Sequence, residues 1–146
     1  MAERFVNDDP GNRCFGCSPH NERGLRMVFW RTGPDTVECR YEAPAHLCGA
    51  PGVVHGGVQA ALLDEVIGNA IHRGVPDGEE LDIVTVDFRL RYRRPVPTGQ
   101  PLLVRGRFLR ADGDDYYAEG EICGPGGEVL TRAEARWHRI ERRALA

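Results

Sequence analysis

Residues 56–72, GGVQAALLDEVIGNAIH, constrain the fold more than any other stretch of the chain. Val58, Ala60, Ala61, Leu62, Leu63, Val66, Ile67, Ala70 and Ile71 recur so often that they cover most of a helix's circumference. A helix that is apolar nearly all round is buried rather than laid on a surface. Arg73-Gly74-Val75-Pro76 then ends it. The rest of the chain must supply what surrounds this helix. Strand-like runs precede it at 25–32 and 36–43, around the hairpin signal Gly33-Pro34-Asp35. Four more follow, near 82–94, 101–111, 115–123 and 128–139. Their separators are Pro95, Pro97 and Gly99, then Asp112-Gly113-Asp114, then Gly124-Pro125-Gly126-Gly127. Two strands, one helix and four strands make an α+β domain whose antiparallel sheet curls around the helix. Residues 1–24 are rich in Asp, Asn, Gly and Pro and read as an irregular N-terminal arm, leaving 25–146 as a single domain.

Composition narrows the function classes. With 146 residues, the chain is long enough for one core without a disulfide or metal staple. A net charge of −3 gives no bulk attraction to nucleic acid or anionic membrane. No run approaches the roughly 20 apolar residues of a membrane span, and MAERFVNDDPGNR lacks the apolar core of a secretion signal. All 19 basic residues are Arg, which excludes a lysine nucleophile. The 5 Cys are an odd number without an export signal, so free thiols in a reducing, cytoplasmic setting are expected. Ser18 is the only Ser and lies in the arm, which argues against a Ser/His/Asp triad. Cys14-x-x-Cys17 with His20 supplies three nearby metal ligands and no second Cys pair, so a turn is expected there rather than a metal site.

Two polar features of the helix carry chemistry. At about 100° per residue, Glu65, Asn69 and His72 share one polar stripe. Asp64 does not belong to it and falls among Ala60, Gly68 and Ile71. A carboxylate in apolar surroundings is costly unless it is paired or used. Desolvation raises its pKa and makes it a competent general base near neutrality. A structural Asp bonded to backbone is the alternative, and the residues alone leave both readings open. The segment Val54-His55-Gly56-Gly57 leads into the helix, whose first amides lack internal partners and suit an oxyanion. A tight loop-to-helix turn would use the same residues. Along 84–93, Val84, Val86, Phe88, Leu90 and Tyr92 alternate with Thr85, Asp87, Arg89, Arg91 and Arg93. Strict alternation places Thr85 on the arginine face, away from Asp64, unless a bulge or a subunit boundary intervenes. Arg89, Arg91, Arg93 and Arg94 match phosphate chemistry; a solvated strand face is the alternative for each.

These residues together resemble a known family. Cys14-Phe15-Gly16-Cys17, Asn21, Gly24-Leu25, His46, Gly49, Gly52, His55-Gly56-Gly57, Leu63-Asp64-Glu65, Thr85-Val86-Asp87 and Tyr92-Arg93-Arg94-Pro95 look like those of a hotdog-fold acyl-CoA thioesterase of the PaaI-like group. The most specific part is His-Gly-Gly with an Asp nine residues after the His, inside an apolar helix. The resemblance implies a sheet wrapped around one long helix. It implies that Gly57 N–H polarises the thioester carbonyl and that Asp64 acts as base on water or as nucleophile. Thr85 would help to place the water, His55 would shape the start of the helix, and Gly56 would let substrate approach. Arg93 and Arg94 would hold the coenzyme A phosphates. No cofactor and no metal are implied. Related enzymes often carry an Asn in the loop before His-Gly-Gly, where this chain has Leu47-Cys48-Gly49.

Gly57 and Asp64 are seven residues apart, about 10 Å along one helix. One carbonyl does not reach both within a subunit. Antiparallel helices related by a two-fold axis would bring Gly57 of one beside Asp64 of the other, so a homodimer or a dimer-of-dimers tetramer is expected. The expected activity is hydrolysis of an acyl-CoA to free acid and coenzyme A. The alternative is a non-catalytic acyl-CoA-binding or sensing protein on the same fold.

Overall fold

The computed structural model describes residues 2–76 and 81–141; residues 77–80 and the end of the expected domain, 142–146, lie outside the described residues. In chain order the elements are β1 (Glu3–Phe5), β2 (Phe29–Arg31), β3 (Thr36–Glu42), α1 (Gly56–Gly74), β4 (Ile83–Tyr92), β5 (Pro101–Asp112), β6 (Asp115–Cys123) and β7 (Val129–Arg139). They form one antiparallel sheet in the order β1-β2-β3-β5-β6-β7-β4. Helix α1 lies chiefly against β5, β6 and β3. Leu62, Leu63, Val66, Ile67, Ala70 and Ile71 are fully buried there with Val37, Val104 and Ile122. No helix among the described residues is long and apolar enough to cross a membrane.

Two glycines set how close the helix comes. Gly106 of β5 and Gly120 of β6 are cross-strand partners. A Cβ on Gly106 would overlap the Val66 carbonyl and lie 2.9 Å from Ile67 N, and one on Gly120 would lie 3.1 Å from the Ile67 side chain. The pair forms a trough into which the middle of the helix settles.

Three strand details differ from the sequence pattern. The expected strand over 25–32 shortens to Phe29–Arg31. Leu25 N–H donates instead to Phe15 O (2.7 Å) and Met27 N–H to Gly16 O (3.0 Å), with Arg26 between them at φ +52°. That stretch spends its backbone on the N-terminal segment, not on the sheet. The N-terminal segment itself contributes β1, which pairs with β2. The third difference is a register shift in β4. Thr85 pairs with Trp137 and Asp87 with Arg136, leaving Val86 as the extra residue. Trp137 faces the helix, where its ring meets Gly68. Thr85 therefore faces the helix too, against the strict alternation.

The trough can be tested on its own. Gly106→Ala should cost about 1–3 kcal/mol of stability, the usual cost of overpacking, because the obstacle is helix backbone at Val66 and Ile67 that no rotamer change relieves. Gly33→Ala, whose Cβ would meet only Thr36 and Asp35 atoms at 3.7 Å or beyond, should stay within about 0.5 kcal/mol. Urea unfolding of the two variants checks the contrast; equal midpoints would refute the close approach.

Candidate active site

The loop before α1 is tied down by its backbone. His55 N–H donates to Leu47 O (2.9 Å), Val54 N–H to Val96 O (2.8 Å) and Gly49 N–H to Val53 O (2.9 Å). Beneath it, Gln59 is buried and bridges two elements. Its Nε2 donates to Val54 O (2.9 Å), and its Oε1 accepts from the fully buried Thr131 hydroxyl (2.6 Å). His55 is the residue that caps the helix. Gly57 N–H donates to His55 Nδ1 at 2.9 Å, so the neutral ring carries its proton on Nε2. The amide expected to face a carbonyl is thus held by the neighbouring imidazole. Tyr92 lies over Gly56 and donates its hydroxyl to Gly56 O (2.9 Å). His55, Gly56, Tyr92, Arg93 and Arg94 line a cavity of about 490 Å³. The backbones of Arg93 and Arg94 both donate to Leu130 O. Their side chains make no hydrogen bond or ion pair among the described residues.

Asp64 lies elsewhere on the helix and does not line that cavity. It is half-buried and accepts a 2.7 Å hydrogen bond from the Thr85 hydroxyl. Burial raises its pKa from the ordinary carboxylate value, and the Thr85 bond opposes this. The bulge at Val86 is what turns Thr85 toward it. Glu65, one residue on, faces the N-terminal segment and accepts from Cys14 Sγ at 3.0 Å. Burial raises Glu65 as well, the two thiols of Cys14 and Cys17 act against that, and Asp64 adds to it. Asn69 is bonded by Asn7 Nδ2 (3.2 Å). The expected polar stripe is therefore occupied by the N-terminal segment rather than by solvent alone.

The chain brings Asp64 and Thr85 together, and separately brings His55 and Gly56 to the arginines, with Gly57 bound to His55 behind them. It does not join these halves within one subunit. Tyr92, Gln59 and Thr131 were not foreseen at the site. Tyr92 sits in the Tyr-Arg-Arg-Pro run, and Gln59 is the one long polar side chain amid the apolar first turns. Thr131 carried no signal. A larger hollow of about 620 Å³ lies over β3, β5 and β6, and none of the expected site residues lines it.

The thioesterase superfamily profile matches residues 51–130, a span that holds both halves of the site. The chain belongs to the thioesterase superfamily. Its sheet wrapped around one helix is the hotdog arrangement expected above. A crystal structure of a thioesterase superfamily protein superposes with a TM-score of 0.74 at 31% identity, over 82% of this chain and 57% of that one. The E. coli PaaI protein from the phenylacetic acid degradation operon shares the fold, with a TM-score of 0.71 at 16% identity over 80% of this chain and 81% of that one. In sequence, the acyl-coenzyme A thioesterase THEM4 of Rattus norvegicus is 25% identical over 125 residues, 82% of this chain. The chain spans about half the length, 51%, of that curated relative.

The buried bridge yields a stability test. Thr131→Val leaves Gln59 Oε1 without its donor and should cost about 1–3 kcal/mol. Gln59→Leu should cost a similar amount. The double variant should cost less than the sum, with a coupling near 1 kcal/mol. Additive losses in chemical unfolding would show that the two side chains do not act as one support for the loop.

Proposed function

We propose that this superfamily member hydrolyses an acyl-CoA thioester. The observation that carries the reading is the Asp64–Thr85 pair: a half-buried carboxylate with one hydroxyl partner and a raised pKa. Such a group gains little from its surroundings as a structural ion, yet is suited to take a proton from water. In the proposed reaction, water forms the C–O bond as its proton passes to Asp64. The C–S bond then breaks, and the proton returns to the departing coenzyme A sulfur, leaving thiol and free acid. Attack by the carboxylate itself, followed by hydrolysis of the anhydride, has the same products. Thr85 fixes the carboxylate. Gly57 N–H, released from His55 Nδ1, holds the developing oxyanion.

Arg93 and Arg94 provide guanidinium groups without a partner among the described residues beside the cavity at Gly56, where coenzyme A phosphates would dock. The separation of Asp64 from that cavity supports a site completed by a second subunit. Each subunit would give its helix N-terminus to the partner's Asp64. The similarity to the acyl-coenzyme A thioesterase THEM4 supports the acyl-CoA class.

Asp64→Asn keeps the size and the hydrogen bond to Thr85 but removes the charge. Turnover of an acyl-CoA should fall at least a hundredfold, the range of acid–base groups, with the fold intact by circular dichroism. Gly57→Pro removes the other essential group while placing proline in the first helical turn, where it is tolerated. Mixing the two inactive proteins under subunit exchange should restore activity. Near-wild-type turnover by Asp64→Asn would refute the base. Verified mixed dimers without activity would refute the shared site. If the protein binds acyl-CoA tightly without turnover, it is a binding or sensing protein instead.

Coenzyme A recognition has its own signature. KM for an acyl-CoA should rise with salt, while KM for the matching pantetheine thioester should barely move, because exposed charges are screened within about 8 Å at physiological ionic strength. Arg93→Ala or Arg94→Ala should reproduce the difference, at about 1–3 kcal/mol of binding. Equal salt responses for the two thioesters would leave the arginines as a solvated surface.

A further inference from the structure

We propose that Cys14, Cys17 and Glu65 form a site for a thiophilic divalent cation, zinc first, that ties the N-terminal segment to helix α1. The two sulfurs and a Glu65 carboxylate oxygen all lie within 4.8 Å of one another. Tetrahedral zinc, with sulfur at about 2.3 Å and oxygen at about 2.0 Å, holds neighbouring ligand atoms roughly 3.5–3.8 Å apart. Side-chain shifts of about 1 Å therefore suffice to close three ligands on one ion. His20, the third metal-ligand type near the Cys pair in sequence, serves another purpose: its Nε2 bonds Asp8 O at 2.9 Å. The third ligand comes from 51 positions beyond Cys14, so the spacing of the Cys pair did not show it.

The surroundings of the sulfurs point the same way. Cys17 N–H is directed at Cys14 Sγ (3.4 Å), and Asn12 Nδ2 at Cys17 Sγ (3.8 Å). Each sulfur thus has its own N–H donor, the kind of outer hydrogen bond that orients metal ligands. Asn12 is itself fixed. Its Oδ1 accepts from Cys14 N–H (2.9 Å), and its Nδ2 also donates to Asn7 O (2.8 Å). The fully buried Ser18 donates its hydroxyl to Asn12 O (2.7 Å). Gly16 lets the Glu65 side chain rest directly against the turn, in space a Cβ would fill.

Three groups that carry negative charge when ionised are gathered here, and Asp64 adds a repulsive neighbour. A divalent cation relieves that crowding by neutralising thiolate and carboxylate together. Cys14 and Glu65 are both half-exposed, so water can complete the fourth position. The site lies outside the residues matched by the superfamily profile except for Glu65, and its test does not depend on thioester hydrolysis.

The full-length, reduced, chelator-treated protein is titrated with Co²⁺. The expected result is a sulfur-to-cobalt charge-transfer band that saturates at one equivalent and is abolished by Zn²⁺. Zinc-loaded protein after gel filtration should carry one zinc per chain by elemental analysis. Cys14→Ser and Glu65→Gln, each checked for folding, should weaken cobalt binding at least tenfold. Zinc should raise the melting temperature of the wild type and leave that of Cys14→Ser unchanged. Cys48→Ser, which alters an exposed thiol, should keep the band. Absence of the band in reduced wild-type protein overturns the proposal. So does a band that persists at full strength in both Cys14→Ser and Glu65→Gln, or one lost in Cys48→Ser. A Cys14–Cys17 disulfide that re-forms in air, with no cobalt bound by the dithiol, overturns it as well.

Discussion

The approach of helix α1 to the sheet at Gly106 and Gly120 governs what every other helical side chain can do. With Val66 and Ile67 seated in that trough, the rotation of the helix about its axis is fixed. Residues one and two positions earlier then point about 100° and 200° away from Val66. Glu65 is carried to the flank covered by the N-terminal segment, and Asp64 to the flank bordered by β4. Two adjacent carboxylates thereby enter unlike surroundings, one with thiols and one with a hydroxyl. A larger residue in the trough would lift the helix and loosen both arrangements together.

The N-terminal segment is the second restraint on the helix. Its turn at Cys14–Cys17 takes the backbone donors of Leu25 and Met27. Asn7 reaches Asn69, and the Arg73 guanidinium lies 4.0 Å from the Phe5 ring centroid. Contacts at positions 65, 69 and 73 run down one face at a spacing of four, the natural repeat of a helix surface. The polar stripe visible in the sequence is therefore a docking face for the chain's own beginning.

Periodicity revealed the buried helix, because its apolar residues exceed one face. Gly, Pro and Asp separators marked the turns of the later strands, where Gly113 and Gly127 do take positive φ. The isolation of Asp64 from the polar stripe was also visible on a helical wheel. What was hidden depends on distant pairing. Alternation in β4 held from Phe88 onward and failed at Thr85, since the residue opposite is Trp137 and one extra residue is absorbed at Val86. No local property of Thr-Val-Asp announces that bulge. The bond from Thr131 to Gln59 spans 72 positions and that from Tyr92 to Gly56 spans 36. β2 shortened because Leu25 and Met27 found partners in a segment whose composition suggested irregular chain. Apolar patterning tells which side chains are buried, but not which backbone donors satisfy one another.

The cap at the start of the helix bears on how such a site discriminates between substrate and transition state. Gly57 N–H is not waiting unpaired; it donates to His55 Nδ1. A helix cap contributes about 1 kcal/mol. An oxyanion-site donor contributes about 2.7–4 kcal/mol to the transition state. A neutral thioester carbonyl that displaces the imidazole replaces one modest hydrogen bond by another and gains little. The oxyanion that forms on attack gains several times the cost of uncapping. Under the proposed reaction, His55 therefore subtracts from ground-state binding and leaves most of the transition-state term in place, which is the direction that raises turnover rather than affinity. Asp64 completes the same logic about two turns further along the helix. Its raised pKa means that its contribution to stability is present below the unfolded carboxylate value and is lost as pH rises through the folded one. Once ionised, Asp64 is a group that its surroundings disfavour, held in place by one hydroxyl.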